Sequence, residues 1–401
     1  MTVKQIYELM NTVTGEVLGK TDLVAEDLSN VVDVGTEVFN ATAVDNYVKT
    51  LVNHIGKVIF VNRPYSGKIP SVLMDSWEFG SVLEKISCDT PAAEENESWD
   101  LVDGQEYKQD IFYKPTVSAK FFNSKVTFEV PMSFTEKQVK ESFSNAAQLN
   151  GFISMIYNAV DRSMTIKIDG LVMRTINSMI AQTLNADKTA FAGGYGTAST
   201  ARCVNLLKLY NDKFFPATGS TANPDALTAA KAIYDPNFIR FASYTMGVYV
   251  DRLASISTLF NVGGKDRFTD ANNLHVIMLS DFAKGADVYL QSDVRHNEMT
   301  RLPNYETVPY WQGSGQNYEF DSTSAINVKI DASTTVDIDG IVGVMFDRDA
   351  LGVSNLDRRV TTAYNAKAEF FNNYYKFDAG YFNDTNENFV VFFVSDEKTG
   401  S

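Results

Sequence analysis

Between Asn145 and Leu184 one apolar stripe persists: Leu149, Phe152, Ile153, Ile156, Val160, Met164, Ile168, Leu171, Val172, Ile176, Met179 and Ile180. The three-and-four spacing is that of a single helix face. Roughly 40 residues of helix extend about 60 Å at 1.5 Å per residue, far beyond the mean of about 11–12 residues in globular proteins. No heptad is sustained, so the stripe is not a coiled-coil seam. Gly151 and Gly170 each cost about 1 kcal/mol in a helix interior and mark places for a kink. A helix this long with one apolar face predicts a strut beneath a sheet, and so a mixed α+β fold.

The flanks supply the rest. Residues 1–40 hold small amphipathic pieces separated by Gly15, Gly19 and Gly35 and read as an arm that orders when docked. Val44, Val48, Leu51, Val52 and Ile55 predict a helix over Val44–Ile55, and Lys57–Val61 a short strand. From Asn62 to Glu129 two strand-like legs flank an acidic stretch, Pro91–Glu106, which predicts a long hairpin with little core of its own. Ser133 with Glu136 three residues on is a capping-box pattern within Pro131–Phe143. Residues 185–225 read as loop-rich. Over 226–360 a separate α/β unit is expected, with helices at Ala226–Tyr234, Ile239–Thr258 and Asp281–Leu290 and strands at Leu274–Leu279 and Gly340–Phe346. A β-rich insertion fills Pro303–Ile338. Strands at Ala366–Phe377 and Asn388–Val394 are expected to return together to the sheet under the long helix.

Composition narrows the function. Thirty-five basic against 50 acidic residues give a formal charge of −15, and no basic stripe is present to neutralise phosphates. Direct, tight DNA binding is therefore not expected, whereas an acidic wall that encloses DNA without gripping it is allowed. The apolar runs, such as Phe389–Val394, suit buried strands and fall far short of a membrane span. Met1–Lys20 lacks the apolar block of a signal peptide, so a cytoplasmic chain is expected. Cys88 and Cys203 form no disulfide framework.

Catalytic motifs fail on inspection. Gly15–Thr21 (GEVLGKT) has three residues between its glycines where a phosphate loop needs four. Phe191–Thr200 is glycine-rich without the Lys-Ser/Thr ending. His54, His275 and His296 are isolated and read as structural, and the cysteines have no metal-ligand spacing. Val336–Gly340 (VDIDG) lacks a calcium loop's third ligand and terminal glutamate and reads as a turn. With 50 acidic residues, accidental carboxylate pairs are guaranteed, so they single out no glycosidase. No cofactor, metal or catalytic residue is assigned, and the chain reads as a non-enzyme.

The order of parts resembles the major capsid protein of tailed phages, the Hong Kong 97-type fold also used by encapsulin compartments, and is most similar to small short-tailed phages. Val48–Val61 followed by Gly67–Leu73 is similar to that family's entry into its extended loop. Asn150–Val172 is similar to its spine helix, and Leu274–Leu290 to its axial strand and helix. The ending, Gly340–Leu351 and then Arg358–Phe393, is similar to its closing strands. The resemblance implies an N-terminal arm at 1–40, a first peripheral part at 41–61 and an extended loop at 62–129. A peripheral domain with the spine helix follows at 130–225, then an axial domain at 226–360 with its insertion at 303–338, and C-terminal strands at 361–401. The insertion is longer than in the smallest members.

The resemblance further implies a homo-oligomer of hexamers and pentamers in an icosahedral shell. Scaffolding protein and portal would serve as assembly partners, with DNA enclosed without sequence-specific binding and no membrane involved. The expected locations are the virion and, during assembly, the host cytoplasm. Inter-subunit contact candidates are Trp77 and Phe79 on the hairpin, Glu94, Glu95, Glu97 and Asp100 at its tip, and Arg295, Arg301, Arg358 and Arg359 as basic counterparts. Two other readings stay open: an encapsulin-like compartment and, more remotely, a hydrolase.

Overall fold

The computed structural model describes residues 3–20, 23–40, 46–47, 50–51, 69–74, 83–91, 93–107, 110–217, 223–291, 305–312 and 319–396. Most of the helix expected at Val44–Ile55, the strand at Lys57–Val61, and Trp77, Phe79, His54, Arg295, His296 and Arg301 lie outside these residues. The chain forms two compact units, each assembled from separated segments: 1–78, 124–172 and 353–381 in the first, and 79–123, 173–352 and 382–401 in the second.

The predicted long helix is a single element of 41 residues, Ala146–Ala186, unbroken at Gly151 and Gly170. Up to Ile168 its buried residues keep to one stripe: Leu149, Ile153, Ile156, Val160, Met164 and Ile168. From Leu171 onward burial spreads around the helix, taking in Thr175, Ile176, Asn177, Met179, Ile180, Ala181, Thr183 and Leu184.

In the first unit a four-stranded sheet has the order β1 (Leu73–Met74), β11 (Leu351–Asn365), β12 (Phe370–Asn383), β4 (Lys125–Thr135). β4 runs antiparallel to β12 from Thr135 opposite Phe370 to Lys125 opposite Gly380. Phe134 brings this sheet against the long helix, its ring edge-on to Phe152 at 5.5 Å. The capping box differs from expectation. Pro131 and Ser133 belong to β4, where proline is tolerated because the strand lies at the sheet edge. The cap is Thr135, whose hydroxyl accepts from the Gln138 N–H at 3.2 Å while Gln138 Oε1 accepts from the Thr135 N–H at 2.9 Å.

The first 40 residues also depart from expectation. Helices α1 (Val3–Leu18) and α2 (Val31–Asn40) bury Ile6, Leu9, Met10 and Val13, and Val31, Val34 and Val38, within this chain. Each set follows the spacing of one helix face, enough apolar surface to pack at home. Gly35 is required there, because a β-carbon would collide with the Phe143 side chain.

The second unit is built on a five-stranded sheet ordered β5 (Cys203–Asn205), β13 (Phe389–Phe393), β10 (Ile341–Asp347), β6 (Leu274–Leu279), β7 (Tyr305–Val308). β10 and β13 are almost wholly buried, as continuous apolar runs require when both faces are covered. The last strand therefore does not accompany β12. It sits between β5 and β10, parallel to one and antiparallel to the other. Helices Pro236–Ala254 and Ser280–Gln291 pack beside the sheet; Tyr249 meets Phe392 edge-on at 5.2 Å. The stretch expected to be loop-rich contains β5 and a helix, Leu206–Phe214. Within the insertion, β8 (Ile326–Lys329) and β9 (Thr335–Ile338) form a separate small hairpin. VDIDG is β9 and the turn into β10, where Gly340 has φ +84° and no room for a β-carbon beside the Val394 carbonyl.

Candidate assembly surface

The strand-like stretch Phe112–Val130 divides in two. Residues Lys125–Thr135 belong to β4, whereas β3 (Val117–Phe122) pairs antiparallel with β2 (Leu83–Cys88) as a two-stranded ribbon in the second unit. The register puts Leu83 opposite Phe122, Lys85 opposite Lys120, Ser87 opposite Ser118 and Cys88 opposite Val117. Alternate residues face opposite sides of such a ladder. Leu83, Lys85 and Ser87 are partly covered, whereas Ile86, Val117 and Phe121, on the opposite side, are exposed.

Beyond the ladder, described residues 89–116 hold one 3-10 turn, Glu97–Trp99, and otherwise irregular backbone. Trp99 is 95% exposed, Phe112 86% and Tyr113 75%, joined by exposed Leu101, Val102 and Ile111. So many large apolar groups left exposed within one short segment are unusual for the surface of a monomer. Glu94, Glu95 and Asp100 are exposed among them, with no basic partner among the described residues. Arg358 lies in β11. Arg359 reaches a partner in its own sheet, with Nη1 2.7 Å from Asp378 Oδ2. Burial would push the Asp378 carboxyl up, but Arg359 and the Thr127 hydroxyl hold it below its ordinary value.

The hairpin's root is fastened ionically to the turn between β12 and β13. Lys85 Nζ lies 3.0 Å from Asp384 Oδ2 and 2.9 Å from Glu387 Oε1, and Lys120 Nζ lies 3.0 Å from Asp384 Oδ1. Arg267 Nε meets the other Glu387 oxygen at 3.1 Å, and Lys265 Nζ meets Asp89 Oδ1 at 2.6 Å. Phe122 packs on Phe382 at 5.1 Å. Burial would raise the Asp384 carboxyl, but the Asn386 backbone N–H and the two lysines overcome it and hold the group below its ordinary value. These anchors were missed in the sequence. The available signal was a lysine at corresponding positions of both legs, which a hairpin brings face to face and which then need an anion.

Among the described residues no group of three or more His, Cys, Asp or Glu side chains could hold a metal, and no helix is long and apolar enough to cross a membrane. Cys203 is buried and its thiol pushed well above the ordinary range, chiefly by that burial; it is not poised as a nucleophile.

The fold is similar to that in the capsid structure of Staphylococcus phage Andhra, with a TM-score of 0.50 and 8% identity over 84% of this chain and 87% of that one. A chain from the structure of head fiber and inner core protein gp22 of native bacteriophage P68 aligns with a TM-score of 0.49 and 7% identity, covering 83% and 86%. No curated protein matches the sequence. This is the α+β, Hong Kong 97-type fold of a phage shell subunit. The sequence profile of the Phi29-like phage major capsid proteins matches residues 10–393, and the chain belongs to that family. It is a structural capsid protein that assembles into a multi-subunit shell of the virion, and neither the encapsulin-like nor the hydrolase reading is favoured.

Proposed function

We propose that copies of this chain close, as hexamers and pentamers, into an icosahedral head around double-stranded DNA, with the hairpin laid over a neighbouring subunit. Assembly takes place in the host cytoplasm with a scaffolding protein and a portal, and involves no catalysis, cofactor or membrane. The observation that carries the reading is the exposed apolar set Trp99, Leu101, Val102, Phe112 and Tyr113 on irregular backbone beyond a two-stranded ladder. A second copy would cover it, and repetition of one such contact closes rings and shells. The acidic residues Glu94, Glu95, Glu97 and Asp100 steer the tip towards basic groups next door, with Arg295, Arg301 and Arg358 the candidates. Exposed ion pairs of this kind contribute only about 0–1 kcal/mol each, so the aromatic groups, together with Trp77 and Phe79, supply most of the contact energy. The charge of −15 suits a wall that encloses DNA without gripping it.

Replacement of Pro91–Glu106 by Gly-Asn-Gly tests the reading. Circular dichroism and the thermal midpoint should stay close to those of the parent, while negative-stain microscopy of protein incubated with scaffold should show no shells. Normal shells from the shortened protein would overturn it.

A further inference from the structure

We propose that Lys85, Lys120, Asp384 and Glu387 form a positioning latch that holds the hairpin in the pose from which subunits join. The inference rests on the reading that the hairpin makes a shell contact, and goes beyond it by assigning residues of the hairpin's own subunit. A two-stranded ribbon is not stable by itself, and at its root Phe122 packs on Phe382. Charged groups add to this contact. Two lysines directly opposite each other in a ladder repel, yet here both converge on one buried carboxylate, Asp384, one to each oxygen. Glu387 binds Lys85 through one oxygen and Arg267 through the other.

The loop carrying Arg267 is fixed in turn. Its Gly263 N–H donates to the Thr385 carbonyl at 2.9 Å, in a space where a β-carbon would strike Asn386. Lys265 of the same loop reaches Asp89, just past β2. Lys120 also donates to the Thr385 hydroxyl at 3.2 Å, and Lys85 to the Asp349 carbonyl at 3.2 Å. Both ladder lysines, and Asp89 just past β2, are thus matched across elements far apart in sequence. Ion pairs are directional where apolar contacts are not, so this network determines an angle as well as an attachment.

The experiment compares the parent with Lys85→Met/Lys120→Met and with Lys85→Arg/Lys120→Arg by hydrogen exchange on unassembled subunits and by the concentration needed for shell formation. In the methionine variant, amides of 83–88 and 117–122 should exchange at least about tenfold faster while those of 341–346 are unchanged. Its threshold concentration for assembly should rise at least about tenfold, and arginine should restore both. Unchanged exchange at the ribbon would overturn the latch, as would faster exchange with an unaltered threshold. If the double methionine variant does not fold, Lys120→Met alone gives the same readouts. The Gly-Asn-Gly protein run in parallel separates the two ideas: normal shells from it remove the hairpin contact, whereas unchanged exchange in the lysine variants removes the latch alone.

Discussion

Lys85 and Lys120 stand opposite each other across the hairpin ladder, and each ammonium lies 3.0 Å from the carboxylate of Asp384. The Asp384 side chain is only 2% exposed. Burial would lower the Lys85 ammonium, but the hydrogen bond and charge of Glu387, with those of Asp384, raise it above 10.5.

This arrangement has a defined pH window. A carboxylate whose folded pKa lies below its unfolded value of 3.8 contributes its full stability above 3.8, and the contribution is lost as pH falls through the folded value. A lysine raised above 10.5 contributes fully below 10.5, and that is lost as pH rises through its folded value. The root should therefore be tightest between about pH 5 and 9. Asp384→Ala leaves Lys120 without its carboxylate and Lys85 with Glu387 alone, and should cost about 2 kcal/mol at pH 7, with a smaller deficit at pH 3, read from urea midpoints.

The long helix predicts a contrast between two isoleucines ten positions apart. Ile156 is fully buried, and Ile156→Ala should lower stability by about 3 kcal/mol. Ile166 is 70% exposed, and Ile166→Ala should change it by less than about 0.5 kcal/mol. Chemical unfolding of the two variants checks both.

Gly340 turns the chain from β9 into β10 at positive φ, and its carbonyl accepts from the Val394 N–H at 2.8 Å. Gly340→Ala adds backbone strain of about 2 kcal/mol and a steric collision with the Val394 carbonyl. The variant should show a lower thermal midpoint and partition into the insoluble fraction.

His275 in β6 lies beside Phe346, with ring centroids 5.9 Å apart. Burial first, and then the Arg348 charge, push its pKa below 6.5, against a smaller opposing effect of Asp347. The folded state keeps the ring neutral, so stability should fall as pH drops below about 6.5, by at most about 1.4 kcal/mol per unit. His275→Phe should lessen that dependence, read as the difference between parent and variant melts from pH 7.5 to 5.5.

Much of the fold was legible wherever one element carried its own periodic signal. The long stripe, LHVIML, GIVGVMF and NFVVFFV all became the expected elements, because burial on one or both faces leaves a pattern within a single segment. Pairing was less legible. FVVFF is buried on both sides, which demands a central position, but only the tertiary fold decides between two available sheets. CVN, three residues long, is too short to carry a period. At the candidate site the acidic character of 94–106 could be read directly from composition, whereas exposed Trp99 could not, because a single aromatic residue leaves no pattern. The root could not, because Lys120 and Asp384 are 264 residues apart and neither has a local reason to be charged.

The position of β13 bears on the order of events during translation. Its residues, 389–393, insert between β5, completed at Asn205, and β10, completed at Asp347. Until they leave the ribosome, both neighbours carry an unpaired backbone edge and the sheet lacks an interior strand. The turn with Asp384 and Glu387 emerges only just before them, so Lys120 of the hairpin is made 264 residues ahead of its carboxylate partner. The ionic root is thus supplied by the same late stretch of chain that supplies the missing strand, an order set by where Asp384, Glu387 and β13 stand in the sequence.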